Sequence, residues 1–159
     1  MDRRSSTAAI LVVLAVLSFW FVMMNQSRIK SLDFSIYLTK DSLEVVSGPD
    51  VRFYNASSHE LTLTSECAER LKAMGWWLSG DFTMIVDDEV VLSGVFVPPI
   101  VSRSYPSSQV VMLYPTLEST DYRVMRMQMG YPWDQPSGAD PRENPVIVDY
   151  FEGSGKLIR

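Results

Sequence analysis

The sequence predicts an α+β protein: an N-terminal transmembrane helix, then one mostly antiparallel sheet with one main packed helix. Three observations predict it. Residues 7 to 24 form an uncharged apolar run. From residue 33 onward, short segments alternate apolar and polar side chains and are bounded by Gly, Pro, Asp and Ser. One segment between Thr64 and Gly75 carries helical spacing with a start and a stop signal.

The apolar run reads TAAILVVLAVLSFWFVMM, 18 residues with Thr7 and Ser18 as its only hydroxyls. As a helix it rises about 27 Å, close to the hydrocarbon thickness of a bilayer. Phe19, Trp20 and Phe21 stand near its end, where aromatic side chains meet headgroups. A cleaved signal peptide is the competing reading. The run is longer than an ordinary signal core, it ends in bulky FWFVMM, and no small-residue cleavage motif follows. The chain is therefore divided into a cytoplasmic tail at 1–6, an anchor at 7–24, a linker at 25–31 and an extracytoplasmic domain at 32–159. Arg3 and Arg4 precede the run, and Arg28 and Lys30 follow it. The short basic tail favours the cytoplasm, which leaves the rest of the chain outside. From Ser31 on, 10 basic residues face 18 acidic ones, a net of −8, so the domain is not drawn to an anionic cytoplasmic leaflet.

Within the domain, Phe34, Ile36 and Leu38 alternate as a first strand. Ser47-Gly48-Pro49-Asp50 reads as a turn, Val51 to Tyr54 as a short extended piece, and His59 to Leu63 as a second strand. Thr64 or Ser65 can cap the helix, Glu66 suits its first turn, and Gly75 ends it. Cys67, Ala68, Leu71 and Met74 form its apolar stripe. Phe82 to Val86 and Glu89 to Val97 form a hairpin about Asp87-Asp88, and Pro98-Pro99 stops it. Gly94, inside that return strand, marks a bulge or a close backbone approach. Gln109–Tyr114, Tyr122–Met129 and Val146–Phe151 read as further strands. Gly130 to Pro145 holds four prolines and reads as an irregular loop, long enough to be functional.

The segments Leu63-Thr64-Ser65-Glu66-Cys67-Ala68-Glu69-Arg70-Leu71, Phe82 to Val91 and Pro98-Pro99-Ile100-Val101 carry a resemblance. Together, over about residues 33 to 112, they resemble the first extracytoplasmic domain of the SecD protein-export subunit. That family pairs a Leu-Thr-x-Glu helix start with a hairpin and a Pro-Ile exit; here the hairpin turn is Asp87-Asp88. The resemblance implies an α+β sheet-and-helix fold outside a membrane. It implies no export activity, because that family carries several membrane helices and this chain has one apolar run.

Charge and composition narrow the chemistry. A single Cys and a single His exclude a disulfide framework and clusters of several cysteines or histidines around a metal. Net acidity argues against nucleic acid as a partner. No Gly-rich phosphate cradle and no G-x-S-x-G elbow is present, and no cofactor is implied. Met125, Met127 and Met129 alternate; soft thioethers suit Cu(I), although a core face is the ordinary use of such a pattern. Cys67 with His59 is the one thiol–imidazole combination, but Cys67 falls on the apolar stripe. Asp134, Asp140 and Glu143 in the proline loop are the carboxylates an acid/base hydrolase would use. Trp76, Trp77, Tyr131, Trp133 and Asp134 are the candidate binding residues, since aromatic side chains at loops anchor partners. Asn55-Ala56-Ser57 is a glycosylation sequon. The expected function is a single-pass, membrane-anchored extracytoplasmic domain that binds or scaffolds a protein partner within a membrane assembly. A membrane-anchored hydrolase using the 130–145 loop, or a copper-binding domain, is the alternative. The absence of a catalytic constellation points away from an enzyme.

Overall fold

A computed structural model describes residues 33–75, 78–98, 102–116 and 122–159. The expected tail, anchor and linker, and the pair Trp76-Trp77, lie outside these residues. Among the described residues no helix is long and apolar enough to cross a membrane. The compact unit Leu32–Arg159 is α+β, with one large, mostly antiparallel sheet and two helices.

The strands are β1 (Phe34–Leu38), β2 (Leu43–Ser47), β3 (Val51–Asn55), β4 (Glu60–Leu63), β5 (Gly80–Val86), β6 (Glu89–Val97), β7 (Tyr105–Leu113), β8 (Val124–Tyr131) and β9 (Leu157–Ile158). The helices are α1 (Ser65–Met74) and α2 (Pro145–Gly153). The sheet order is β2-β1-β5-β6-β7-β8-β4-β3-β9. Only the β6–β7 and β3–β9 pairs are parallel. β2 and β3 stand near opposite ends of this order, yet the single 3-10 turn Gly48–Asp50 joins them. The sheet therefore curls until its two ends approach each other. Helix α2 sits in the curl: the Phe151 ring lies 5.1 Å from Phe34 on β1 and 4.9 Å from Tyr54 on β3. Gly48 permits this closure, because a Cβ there would run into the Tyr150 hydroxyl.

Helix α1 forms as its sequence dictates. Thr64 Oγ1 accepts from the Cys67 amide at 3.2 Å, Glu66 lies in the first turn, and Gly75 closes the helix at φ +55°. Cys67, Ala68 and Leu71 are buried, with Met74 packed at the edge of the core. The β5–β6 hairpin turns on Asp87 and Asp88, both at positive φ, the conformation a two-residue turn needs to match strand twist. Gly94 is a close approach: a Cβ there would meet the Phe82 ring at 2.7 Å and the Val110 carbonyl. The bulge of that strand lies earlier, where Met84 pairs with Leu92 but Ile85 pairs with Val90.

One expectation is corrected and one strand is added. Val146–Phe151 is the helix α2 and not a strand, so the sheet carries two helices rather than one. Asn144 accepts from the Val146 amide at 3.0 Å, Pro145 takes the first turn, and Ile147, Tyr150 and Phe151 are buried on one face. The β-branched Val146, Ile147 and Val148 favour strand locally, and packing inside the curled sheet overrides them. The added strand is β2, a segment for which the sequence predicted no element. Its Val45 and Val46 are buried, while Glu44 accepts from Ser35 and Tyr37 on the neighbouring strand.

Candidate functional site

The strand ends Leu38, Gly80-Asp81 and Val95–Val97 meet at one end of β1, β5 and β6, where they border a cleft of about 1160 Å³. Its wall is completed by the β1–β2 turn through Thr39, Lys40 and Asp41, and by Arg103, Tyr105 and Gln109 before and within β7. The turn is fixed from below: the Thr39 amide donates to the Asp81 carbonyl at 2.9 Å, and the Thr39 and Thr83 hydroxyls meet at 3.1 Å. Val95, Phe96, Val97 and Pro98 give the cleft an apolar side, and Val95 and Val97 belong to a second small core with Val111, Leu113 and Tyr131.

Lys40, Asp41, Asp81 and Arg103 stand exposed around this apolar side. Elsewhere the domain's cations are engaged. Arg70 pairs with Asp50 at 2.8 Å, Arg126 with Glu60 at 2.6 Å and Arg159 with Glu152 at 2.8 Å. Lys156 donates to the Gly48 carbonyl at 2.7 Å, and Lys72 lies 5.2 Å from the centre of the Tyr122 ring. Among the described residues, Lys40 and Arg103 have no such partner. Sequence reasoning missed this cleft, because its residues come from four separated segments with no shared motif.

The proline loop carries a second cluster. Arg142, only 3 % exposed, meets Asp140 at 2.6 Å and Asp134 at 2.9 Å and donates to the Met127 carbonyl at 3.0 Å. Asp140 also caps the 3-10 turn Pro141–Glu143 through the Arg142 amide. His59 Nε2 lies 4.0 Å from Asp140, and its Nδ1 is 3.1 Å from the Tyr54 hydroxyl. The Arg142 hydrogen bond holds the Asp140 carboxyl below the usual carboxylate range. Burial, with Arg142 adding to it, lowers the His59 pKa. Burial pushes the Tyr54 hydroxyl up to about 12. The cluster is thus ionised at Arg142 and Asp140 and neutral at His59 and Tyr54, an arrangement that straps the loop onto β8.

The residues singled out by sequence fall in different places. Asp134 is part of the strap and accepts from the Met129 amide at 2.8 Å. Tyr131 is buried in the second core. Trp133 is 74 % exposed. Glu143 is in the 3-10 turn. Met125, Met127 and Met129 all face the main core and are buried there. Asn55 Oδ1 accepts from the Ser57 and Ser58 amides at 2.9 and 3.1 Å, which shapes the turn after β3. Cys67 is buried, and that burial pushes its thiol up to about 11, far from a reactive thiolate. Among the described residues no group of three or more His, Cys, Asp or Glu is placed to hold a metal ion. Comparison of the chain with protein-family models, with curated proteins and with solved structures returned no match.

Proposed function

We propose that this chain is a single-pass, membrane-anchored extracytoplasmic domain that binds a protein partner in the cleft at the Leu38, Gly80 and Val97 strand ends. One observation carries the reading: the two described cations without a partner, Lys40 and Arg103, both border the cleft, beside the equally unpaired Asp41 and Asp81. Exposed charges around an apolar side give a partner both a desolvating contact and a register. The anchor rests on the uncharged run of residues 7 to 24. The acidic loop supports a hydrolase less well, since Asp134 and Asp140 are both engaged in holding Arg142.

The test is a double variant, Lys40→Glu with Arg103→Glu, in the full chain in its native membrane. Both side chains are exposed, so folding is retained. The reading expects the chain to shift from a larger assembly to a smaller one on a native gel. An unchanged assembly, or a chain that runs alone before and after the change, contradicts it. Protease added to intact cells tests the orientation: removal of the domain after Ser31 is expected, and full protection contradicts it.

A further inference from the structure

The chain between β8 and α2 is fastened at three places. Asp134 accepts from the Met129 amide at 2.8 Å, and the Gln135 amide donates to the Met129 carbonyl at 3.1 Å. Arg142 joins Asp134 to Asp140 and donates to the Met127 carbonyl. Asn144 Nδ2 donates to the Val91 carbonyl on β6 at 3.0 Å. Among the described residues β7 pairs with β6 only from Val95 to Val97, so earlier in β6 it is this loop that meets Val91.

His59 touches this fastening from the residue just before β4. Its carbonyl accepts from the Met127 amide at 2.9 Å, and its side chain is only 12 % exposed. Nδ1 lies 3.1 Å from the hydroxyl of the fully buried Tyr54, and Nε2 lies 4.0 Å from Asp140. The same hydroxyl lies 3.4 Å from the Arg142 carbonyl. In the neutral ring Nδ1 accepts the Tyr54 proton. A protonated ring donates from both nitrogens, so Tyr54 has to turn its O–H to the longer contact at Arg142. The new charge also stands beside the guanidinium, and the carboxylate between them, Asp140, already accepts from the Arg142 amide, Nε and Nη2. Asp140, Asp134 and Glu143 attract the extra proton, whereas burial and Arg142 oppose it, and the opposition prevails. Glu60, next along β4, is taken by Arg126 and Ser58.

We propose that His59 is an acid-sensitive latch: on taking up a proton from solvent it loosens the Arg142–Asp140 fastening and releases the 132–144 segment from β8 and β6 while the sheet stays folded. The proton sits on Nδ1, and no other covalent bond forms or breaks. With the segment open the ring stands in water and binds the proton at its ordinary affinity, so acid favours the open form. Opening withdraws Asn144 from Val91 and uncovers the stretch of β6 that β7 leaves unpaired. This goes beyond a loss of overall stability, because the segment opens on its own, ahead of the strands.

The experiment is amide hydrogen exchange on the full chain in detergent micelles, corrected for the intrinsic effect of pH on exchange. The amides of Met129, Gln135, Arg142 and Asn144 report the segment, and those paired between β5 and β6 report the sheet. The segment's opening constant is expected to rise several-fold from about pH 7.5 to about pH 5.5, towards the limit of about tenfold for one proton bound by the open form alone. At both pH values the segment should exchange at least about tenfold faster than the sheet, as a locally opening unit does. His59→Gln, whose amide oxygen can still accept from Tyr54, should remove the rise. His59 is the sole histidine, so its ring signal in nuclear magnetic resonance follows the titration directly, and its midpoint should coincide with that of the segment's opening. This comparison holds for the wild type even where His59→Gln fails to fold. Exchange unchanged between the two pH values, an equal rise in His59→Gln, or midpoints that differ would overturn the latch. Protection of the segment equal to that of the sheet would mean that it opens only by global unfolding, which overturns it as well.

Discussion

Arg142 and Asp140, two residues apart, form a 2.6 Å ion pair at the edge of the core, and the guanidinium spans from there to Asp134. This places a nearly dry cation where the proline loop crosses β8. Removing Arg142 leaves the largely buried Asp140 carboxylate uncompensated, which is costlier than the net worth of the pair itself.

Arg142→Ala is therefore expected to destabilise the domain by about 3–5 kcal/mol in urea unfolding. Asp134→Asn should cost less, because Asp134 is more exposed and Asp140 still faces the guanidinium. Equal, small effects at both positions would show that the loop is not strapped by Arg142.

The pH dependence follows from the same cluster. Burial lowers the His59 pKa, so the folded ring stays neutral where the unfolded ring, at its ordinary 6.5, takes up a proton. Stability is then full above that value and falls as the pH drops through it. Asp140, whose pKa is depressed from 3.8 by Arg142, adds a second loss at lower pH, as the folded carboxyl takes up its proton. His59→Gln should flatten the first decline and leave the second, measured as thermal midpoint against pH. A midpoint that rises on acidification from neutral contradicts the assignment.

Gly94 and Gly48 should resist even the smallest side chain. Gly94→Ala drives a methyl into the Phe82 ring and the Val110 carbonyl, and Gly48→Ala drives one into the Tyr150 hydroxyl. Each is expected to cost about 1–3 kcal/mol, the usual penalty for overpacking. Ser93→Ala, exposed beside Gly94, should stay within about 0.5 kcal/mol.

Leu71→Ala empties a fully buried site under α1 and should cost about 2–5 kcal/mol. Lys72→Ala, one position on, loses only the cation over the Tyr122 ring, about 0.5–1 kcal/mol. Denaturant midpoints for the pair read the helix face directly.

Local chemistry was the part of this fold legible in the sequence. Thr64, Glu66 and Gly75 announce α1, and Asp87-Asp88 announces the hairpin, because caps and tight turns are decided within a few residues. Gly94 could be read as a close approach, but its neighbours, Phe82 and Val110, could not be named. Helix α2 was hidden because its Val-Ile-Val start imitates a strand; the signal that would have found it is Asn144-Pro145 ahead of Ile147, Tyr150 and Phe151. The cleft was illegible for a different reason. Lys40, Asp81, Val97 and Arg103 converge only through strand order, and no local propensity encodes the order of nine strands.

The central claim, that the cleft holds a protein partner, is most directly tested by photo-crosslinking from within it. A photoreactive amino acid is placed at Gln109 in the cleft or at Arg52 on β3, which does not line it, in the full chain in its native membrane. The account predicts one discrete adduct from Gln109 that disappears with Lys40→Glu and Arg103→Glu, and none from Arg52. Adducts of equal yield from both positions, or none from Gln109, would contradict it.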